Sequence, residues 1–408
     1  MEVLHRRCAG LDVHKASLTA CIRIVEGKAV RQEVRQFRTT VSGLHELRDW
    51  LQDHEVHAVV MEATGVYWKP VWHILEEDFE LTLANAAHVK NVPGRKTDVS
   101  DATWLADLHA HGLVRASFVP PQPVEELRQL TRTRKQLVRE VSQHTNRIQK
   151  VLEDTNIKVG DVVSDILGTT GRAILRKLIA GVTDPESLAD EARGALKRKR
   201  QQLTEALHGR VTEHHRFLLR LHLDTLESLE QRIAQIDERL AGTLHPFSEA
   251  VERLQTIPGV STITAHVIAA EIGLDMTRFP SHGHLLSWAG FCPRNDKSAG
   301  KTRSAALRKG APWLKAVLVQ AAWGATHKKD SYLRAQYLRL RARRGSKKAA
   351  VAVAASILTS VYYMLKRGET YQDLGHDYLQ RHNLQKTINR HVRRLKDLGF
   401  AVHLERAA

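Results

Sequence analysis

The sequence predicts an α/β layer with a mixed sheet at the amino end, a coiled-coil middle and a mainly helical carboxyl end. Three observations predict it. Ser17–Ile24 and Val30–Phe37 read as two strands around a Gly27-Lys28 turn. Short apolar strands at His57–Met61 and Leu81–Ala84 are interleaved with segments whose apolar residues recur every three or four positions. Beyond Pro120-Pro121-Gln122-Pro123, helical spacing takes over, with Leu127, Leu130, Leu137, Val141, Ile148 and Val151 on one stripe. The expected divisions are residues 1–115 for the α/β layer, 116–245 for a linker and coiled-coil region with a helical insert, 246–370 for a C-terminal domain, and 371–408 for a basic helical tail.

Within the first division, Cys8 to Leu11 leads into Asp12, and the hairpin follows. Leu44, Leu47 and Leu51 mark an amphipathic helix before the strand that delivers Glu62. Ala63-Thr64-Gly65 turns the chain into a helix with Tyr67, Trp68, Val71 and Leu75. The order strand, strand, strand, helix, strand, helix, strand, helix builds a mixed sheet. In the run Gly94-Arg95-Lys96-Thr97-Asp98-Val99-Ser100-Asp101-Ala102, a helix beginning near Thr97 puts Asp98 and Asp101 on one face. Strands one and four are neighbours in an RNase H-like sheet, so Asp12, Glu62, Asp98 and Asp101 are expected to converge. Converging carboxylates repel unless a cation sits among them. Two Mg²⁺ about 3.5–4 Å apart would relieve that repulsion and hold both oxygens of a phosphodiester displacement. The competing reading makes Asp12 a turn acid and the others helix-capping acids.

In the middle, Leu219, His222, Leu226, Leu229, Ile233, Ile236 and Leu240 alternate by three and four, a heptad seam that predicts an antiparallel coiled coil supporting oligomerisation. His222 is then a polar seam residue. Arg128, Arg132, Arg134, Lys135, Arg139 and Arg147 cover the remaining surface of the first long helix. Between the two helices, Ile157 to Leu196 forms a small helical insert, closing in the basic run Lys197–Arg200. Further on, Leu254–Ser261 followed by an apolar helix has the pattern of a helix-hairpin-helix, whose Gly259 turn would present backbone N–H groups to a phosphate. Gly290–Arg303 reads from composition as a flexible basic loop. An apolar helix is expected over Ala349–Leu365, and a basic amphipathic helix follows His376.

Composition narrows the partner. Lys and Arg total 62 against 45 Asp and Glu in 408 residues, a net charge of +17, which suits nucleic acid first and an anionic membrane surface second. No apolar run approaches the roughly 20 residues that cross a bilayer and no signal peptide is visible, so a soluble cytoplasmic protein is expected. Cys8, Cys21 and Cys292 are too scattered for a zinc site or a disulfide framework, and no H-E-x-x-H or P-loop occurs.

Gly10-Leu11-Asp12-Val13-His14-Lys15, Met61-Glu62-Ala63-Thr64-Gly65-Val66-Tyr67 and Lys96-Thr97-Asp98-Val99-Ser100-Asp101-Ala102 resemble the three acidic motifs of the DEDD transposases, the recombinases of the insertion sequences called IS one-ten and IS eleven-eleven. Gly290-Phe291-Cys292-Pro293-Arg294 followed by Ser298-Ala299-Gly300, then Arg308-Lys309-Gly310 and Leu314-Lys315, resembles the family's second signature. The resemblance implies a RuvC-like first domain with an acidic tetrad at Asp12, Glu62, Asp98 and Asp101, a nucleophilic serine at Ser298, and Mg²⁺ as cofactor. It further implies donor and target DNA, a noncoding bridge RNA that pairs with both, and dimers and tetramers that share active sites. Arg95, Lys96, Gly259, Arg294, Lys297, Lys301, Arg303 and Lys309 are the expected nucleic-acid contacts. Lys297, Lys301 and Arg303 would screen the phosphate charge, since a hydroxyl is a weak nucleophile until that charge is screened and its proton removed. Thr302 and Ser304 are competing hydroxyls off the motif. Two rivals are a Holliday-junction-type endonuclease that hydrolyses with metal-activated water, and a non-catalytic nucleic-acid scaffold.

Overall fold

The computed structural model describes residues 2–62, 65–85, 89, 92, 100–293, 296–298, 301–304, 306–308, 310–382 and 384–405, with 296–298, 302–303, 380, 382 and 385–387 described by their backbone. The chain divides into two units, Met1–Val119 and Pro120–Ala408.

The first unit is a five-stranded mixed sheet of β1 (Arg7–Val13), β2 (Ser17–Glu26), β3 (Ala29–Arg38), β4 (Ala58–Glu62) and β5 (Glu80–Ala84), in the order β3-β2-β1-β4-β5. The meander β1-β2-β3 is antiparallel, closed at Gly27, whose φ of +60° suits a residue without Cβ. β3 is the polar edge, carrying Arg31, Gln32, Glu33, Arg35 and Gln36 over its two faces, which discourages further strand pairing. β1–β4 and β4–β5 are parallel. They are linked through α1 (Val41–Asp53) and α2 (Trp68–Leu75), which bury Leu44, Leu47, Leu51, Val71 and Leu75 on the sheet face formed by Ala9, Leu11, Val59 and Met61.

Side chains alternate along a strand, so Cys8, Gly10 and Asp12 point the other way, as do Val60 and Glu62. That second face is covered by α3 (Asp101–Ala110). Val60 packs with Leu105 and Leu108, and Cys21 packs with Ala102 and Ala106. At Gly10 the contact is backbone to backbone: a Cβ there would lie 2.3 Å from the Ala102 carbonyl oxygen and 2.4 Å from the Ala106 nitrogen. The helix starts later than the sequence predicts. Ser100 is its N-cap, the hydroxyl accepting from the Thr103 N–H at 3.2 Å, so Asp101 opens the helix. Asp98 lies outside the described residues, and its sharing of a helix face with Asp101 falls there too.

In the second unit, α4 (Gln122–Asp154) starts directly after the unit boundary, with Pro123 in its first turn, where no linker intervenes. It lies antiparallel to α5 (Glu213–Thr243): Arg134 pairs with Asp237, the His144 ring meets that of His222, and Asp154 meets His215. Leu219, Leu226, Leu229 and Leu240 are buried along α5, while His222 keeps its Nδ1 buried without a hydrogen-bond partner among the described residues. At one end of the pair, Ile148, Leu152, Leu219 and Leu226 pack with the insert helices Thr169–Ile179 and Arg200–Ala206. At the other, Val124, Leu127 and Leu240 join the core of α6 (Ser248–Gln255), α7 (Thr262–Ile272), α8 (His282–Ala289), α9 (Pro312–Ala325), α10 (Tyr332–Arg344) and α11 (Ser346–Arg367). The basic tail carries α12 (Leu384–Asp397).

Three expectations are corrected here. Arg128, Arg132 and Arg134 are structural: Arg128 donates to the Ala270 and Glu271 carbonyls at 3.1 and 2.7 Å, where the end of α7 leaves acceptors unpaired, Arg132 grips both Glu271 oxygens, and Arg134 both of Asp237. Glu271 is 1% exposed, so this pairing offsets a large desolvation cost. Second, α11 is 22 residues long and contains an 18-residue stretch with a mean hydropathy of 1.5, long and apolar enough to cross a membrane. Its Ala349, Val353, Ile357 and Val361 are core residues here, and Ser and Thr interspersed among them broke the apolar run in the sequence. Third, the basic loop expected around Ser298 contains a β-hairpin, described below.

Two outcomes follow for the first unit. Gly10→Ala should lower its stability by about 1–3 kcal/mol in urea unfolding, because backbone must move to admit the methyl; unchanged stability would contradict the packing. His109 of α3 is buried, its ring stacked on His5 at 4.5 Å, and burial with the nearby His5 charge pulls its pKa down to about 4. The unfolded chain, with a histidine near 6.5, takes up that proton first as pH falls. Stability is therefore complete above about pH 6.5 and is lost towards pH 4, and His109→Phe should flatten this dependence in urea midpoints measured against pH.

Candidate active site

The acidic side of the site follows from register. Gly10 is level with Val60 and Leu11 with Met61, so one further step sets Asp12 beside Glu62 at the carboxyl ends of two parallel neighbours, both aimed at the α3 face. α3 runs opposite to β1: Cys8 Sγ reaches the Ala106 carbonyl at 3.5 Å, while Gly10 abuts both Ala106 and Ala102. Moving on to Asp12 therefore leads towards the first turn of α3, where Asp101 stands. The Asp12 carboxylate is partly exposed and lies 3.3 Å from His14 Nε2. Oxygen-only carboxylate donors on adjacent strand ends fit a hard divalent cation in chemistry. Among the described residues no group of three or more His, Cys, Asp or Glu stands close enough to hold a metal ion, and Asp98, Arg95 and Lys96 lie outside them.

The serine belongs to the second unit. Asp296–Ser298 and Lys301–Ser304 form a two-stranded antiparallel hairpin, β6 and β7, in which Ser298 is opposite Lys301, with an irregularity between Asp296 and Lys297. Ser298 thus ends β6, with only residues 299 and 300 before β7. A bridge between Pro293 and Leu307 continues the ladder below it. At the base, Gly290 and Gly310 touch through their backbones: a Cβ on Gly310 would lie 2.5 Å from the Ala289 carbonyl carbon and 2.6 Å from the Gly290 nitrogen. Lys315 Nζ donates to the Arg308 carbonyl at 3.0 Å in the same place, and desolvation lowers its pKa.

A family model described as Transposase, of the DEDD IS110 type, matches residues 9–157, and a second, described as Transposase IS116/IS110/IS902 family, matches residues 251–338. The transposase for insertion sequence element IS1111A from Coxiella burnetii (strain RSA 493 / Nine Mile phase I) is 26% identical over 379 residues, covering 89% of this chain and 90% of that one. The chain belongs to the IS110 transposase family. It is accordingly a DNA recombinase, and its mixed sheet is the RNase H-like part of a DEDD transposase. One matched segment contains Asp12, Glu62, Asp98 and Asp101, and the other contains Ser298.

The remaining expected contacts of the transposase are distributed as follows. Lys297, Ser298 and Arg303 are on the hairpin strands and Lys301 is exposed on β7, whereas Arg294 and Lys309 lie outside the described residues. Gly259 has a packing reason of its own. Its φ is +82°, and a Cβ would lie 2.1 Å from the Ala321 carbonyl oxygen, so the turn is seated against α9. The sequence places Lys315 in the signature but does not show its structural role, for which the one signal is its position in the first turn of a helix just after Gly310. Gly310→Ala should open the base of the hairpin. Hydrogen exchange over residues 296–304 is expected to quicken while the amides of β1 and β4 keep their rates, and an unchanged hairpin would contradict the clamp.

Proposed function

We propose that this transposase cuts and rejoins donor and target DNA through a covalent link between Ser298 and a DNA phosphate, with Asp12, Glu62, Asp98 and Asp101 as the metal-holding acids and a noncoding bridge RNA as guide. The observation that carries the reading is the placement of Asp12 and Glu62 at adjacent parallel strand ends on the face covered by α3, with Asp101 in the helix's first turn. Carboxylates delivered to neighbouring strand ends repel one another. A cation in contact with both acids and phosphate would relieve that repulsion.

In this reading Ser298 Oγ forms a bond to phosphorus as one phosphodiester P–O bond breaks, and the serine proton passes to the departing oxygen, which leaves as a free strand hydroxyl. The joining step is the reverse with a different strand, so the bond energy is conserved and no nucleotide triphosphate is needed. Mg²⁺, when bound, would neutralise the carboxylates and the charge developing on the phosphate. Lys297, Lys301 and Arg303 on the same hairpin would screen the phosphate that Ser298 approaches. The net charge of +17 supports a large polyanionic partner, and A-form RNA is bound through its backbone rather than read by an inserted helix. The same reading has the protein act in the cytoplasm as a homo-oligomer, with Arg95, Lys96, Arg294 and Lys309 as phosphate contacts and Gly259 offering backbone N–H groups.

End-labelled donor DNA incubated with protein, guide RNA and Mg²⁺ should give a protein–DNA adduct on a denaturing gel. Ser298→Ala should remove it, and Glu62→Gln or Asp101→Ala should remove both adduct and cleavage, with DNA binding within about twofold of the parent. Cleavage that persists in Ser298→Ala would instead make the protein a water-using endonuclease, and cleavage that persists in Asp101→Ala would remove the acids from the chemistry.

A further inference from the structure

A cavity of about 380 Å³ lies among α4, α5, α7 and α9 of the second unit, and no hairpin residue lines it. Val138, Leu240, Ile263, Val267 and Val317 give it apolar walls, and Trp313, in the first turn of α9, gives it an aromatic one. Its basic side is unusual for an apolar pocket. Arg132 and Arg134 are held by Glu271 and Asp237, each through two hydrogen bonds, which fixes both guanidinium planes. Lys135 and Arg139 have no carboxylate partner among the described residues. The Arg139 guanidinium lies over the Trp313 ring, 5.0 Å from its centroid, and that of Arg132 lies 5.8 Å from it, so the aromatic wall is flanked by cations. His266 lines the same cavity with no hydrogen-bond partner among the described residues, and burial lowers its pKa, leaving a neutral ring with one donor and one acceptor nitrogen.

A hydrocarbon chain or apolar peptide side chain would suit the walls and leave two cations facing it. A lone inorganic anion would suit the cations and leave the walls wet. A nucleotide answers both, with a flat ring for the walls and tryptophan, a polar edge for the imidazole, and flanking phosphates for the rim; the volume falls in the range of a small-ligand site.

We propose that this cavity receives one unpaired nucleotide of a single strand, its base against Trp313 and its flanking phosphates on Arg139 and Lys135. The inference rests on reading the chain as a nucleic-acid enzyme and adds a place where a base is held out of the stack. Arg132 is then positioned by the Glu271 pairing rather than by the ligand, and its guanidinium lies 5.8 Å from the Trp313 ring centroid, so this side of the site is preformed.

The test uses the full chain and short oligonucleotides carrying one 2-aminopurine, as single-stranded DNA, single-stranded RNA and duplex. A fluorescence change on binding is expected for a single strand, and whichever of DNA or RNA gives it identifies the source. Trp313→Ala and Arg139→Ala should each weaken single-strand binding by about tenfold, the size expected for one lost stacking contact, and abolish the fluorescence change, with duplex affinity within about twofold. Arg139 is exposed, so its variant is expected to fold, and melting temperatures check both. No fluorescence change in the parent protein, or parent-like single-strand binding by folded Arg139→Ala, would overturn the site. An equal loss for duplex would overturn it too, making Arg139 a plain backbone contact. Repeating the titration with Ser298→Ala separates the two readings: fluorescence change without any adduct in the parent would sink the serine mechanism and keep the cavity, and the converse would do the opposite.

Discussion

The first unit depends on the absence of a single side chain. Because residue 10 is glycine, α3 settles with its backbone on β1, and only that approach brings the helix's first turn over the face where Asp12 and Glu62 emerge. Any Cβ would lift the helix, and Asp101 with it. The small residues around the contact, Cys8, Cys21, Ala102 and Ala106, serve the same closeness. Both cysteines are buried, and desolvation raises their pKa values, that of Cys8 to about 12, so they remain thiols that fill space.

Close backbone approach recurs in the second unit. Gly290 and Gly310 join the two ends of the segment that carries the hairpin, and Gly259 and Gly324 seat the turn after α6 on α9. Around these contacts the charge is handled in two ways. Some arginines are drawn inside, as Arg128 and Arg132 are by the end of α7 and Glu271, where they hold α4 to the helical core. Others, on the exposed end of α10 and along α12, face solvent. A chain with a large cationic surplus therefore does not present all of it to nucleic acid.

What could be read from the sequence was what repeats along it. Alternation or short apolar runs between turns mark the strands, and the order of strands and helices gives a mixed sheet; only likeness to an RNase H-like sheet sets β1 next to β4 and so pairs Asp12 with Glu62. The heptad-like stripe of α5 marked its buried face. Features set by one local bond were harder to read. The Ser100 cap moves the start of α3 from near Thr97 to Asp101, because a serine hydroxyl and a threonine hydroxyl three residues apart are equally plausible caps on paper. The hairpin at Ser298 has strands of three and four residues, too short for a period to register. Features made by distant segments, such as the Arg132–Glu271 pairing and the cavity beside Trp313, left no trace in any one stretch. Ser298 itself was legible only through a motif resemblance, since nothing in the chemistry of a serine between lysines distinguishes it from Thr302 or Ser304.

The central claim is that the acids of the first unit and the hydroxyl of Ser298 act on one phosphate. Replacing a single non-bridging oxygen of the scissile phosphate by sulfur tests it most directly, because sulfur is a soft ligand and Mg²⁺ a hard ion. The account predicts that adduct formation by Ser298 slows at least about tenfold on the sulfur-substituted DNA in Mg²⁺ and recovers in Mn²⁺, and that Glu62→Gln loses the recovery. Equal adduct rates on both substrates in both metals would show that the serine works without the acids, and would contradict the account.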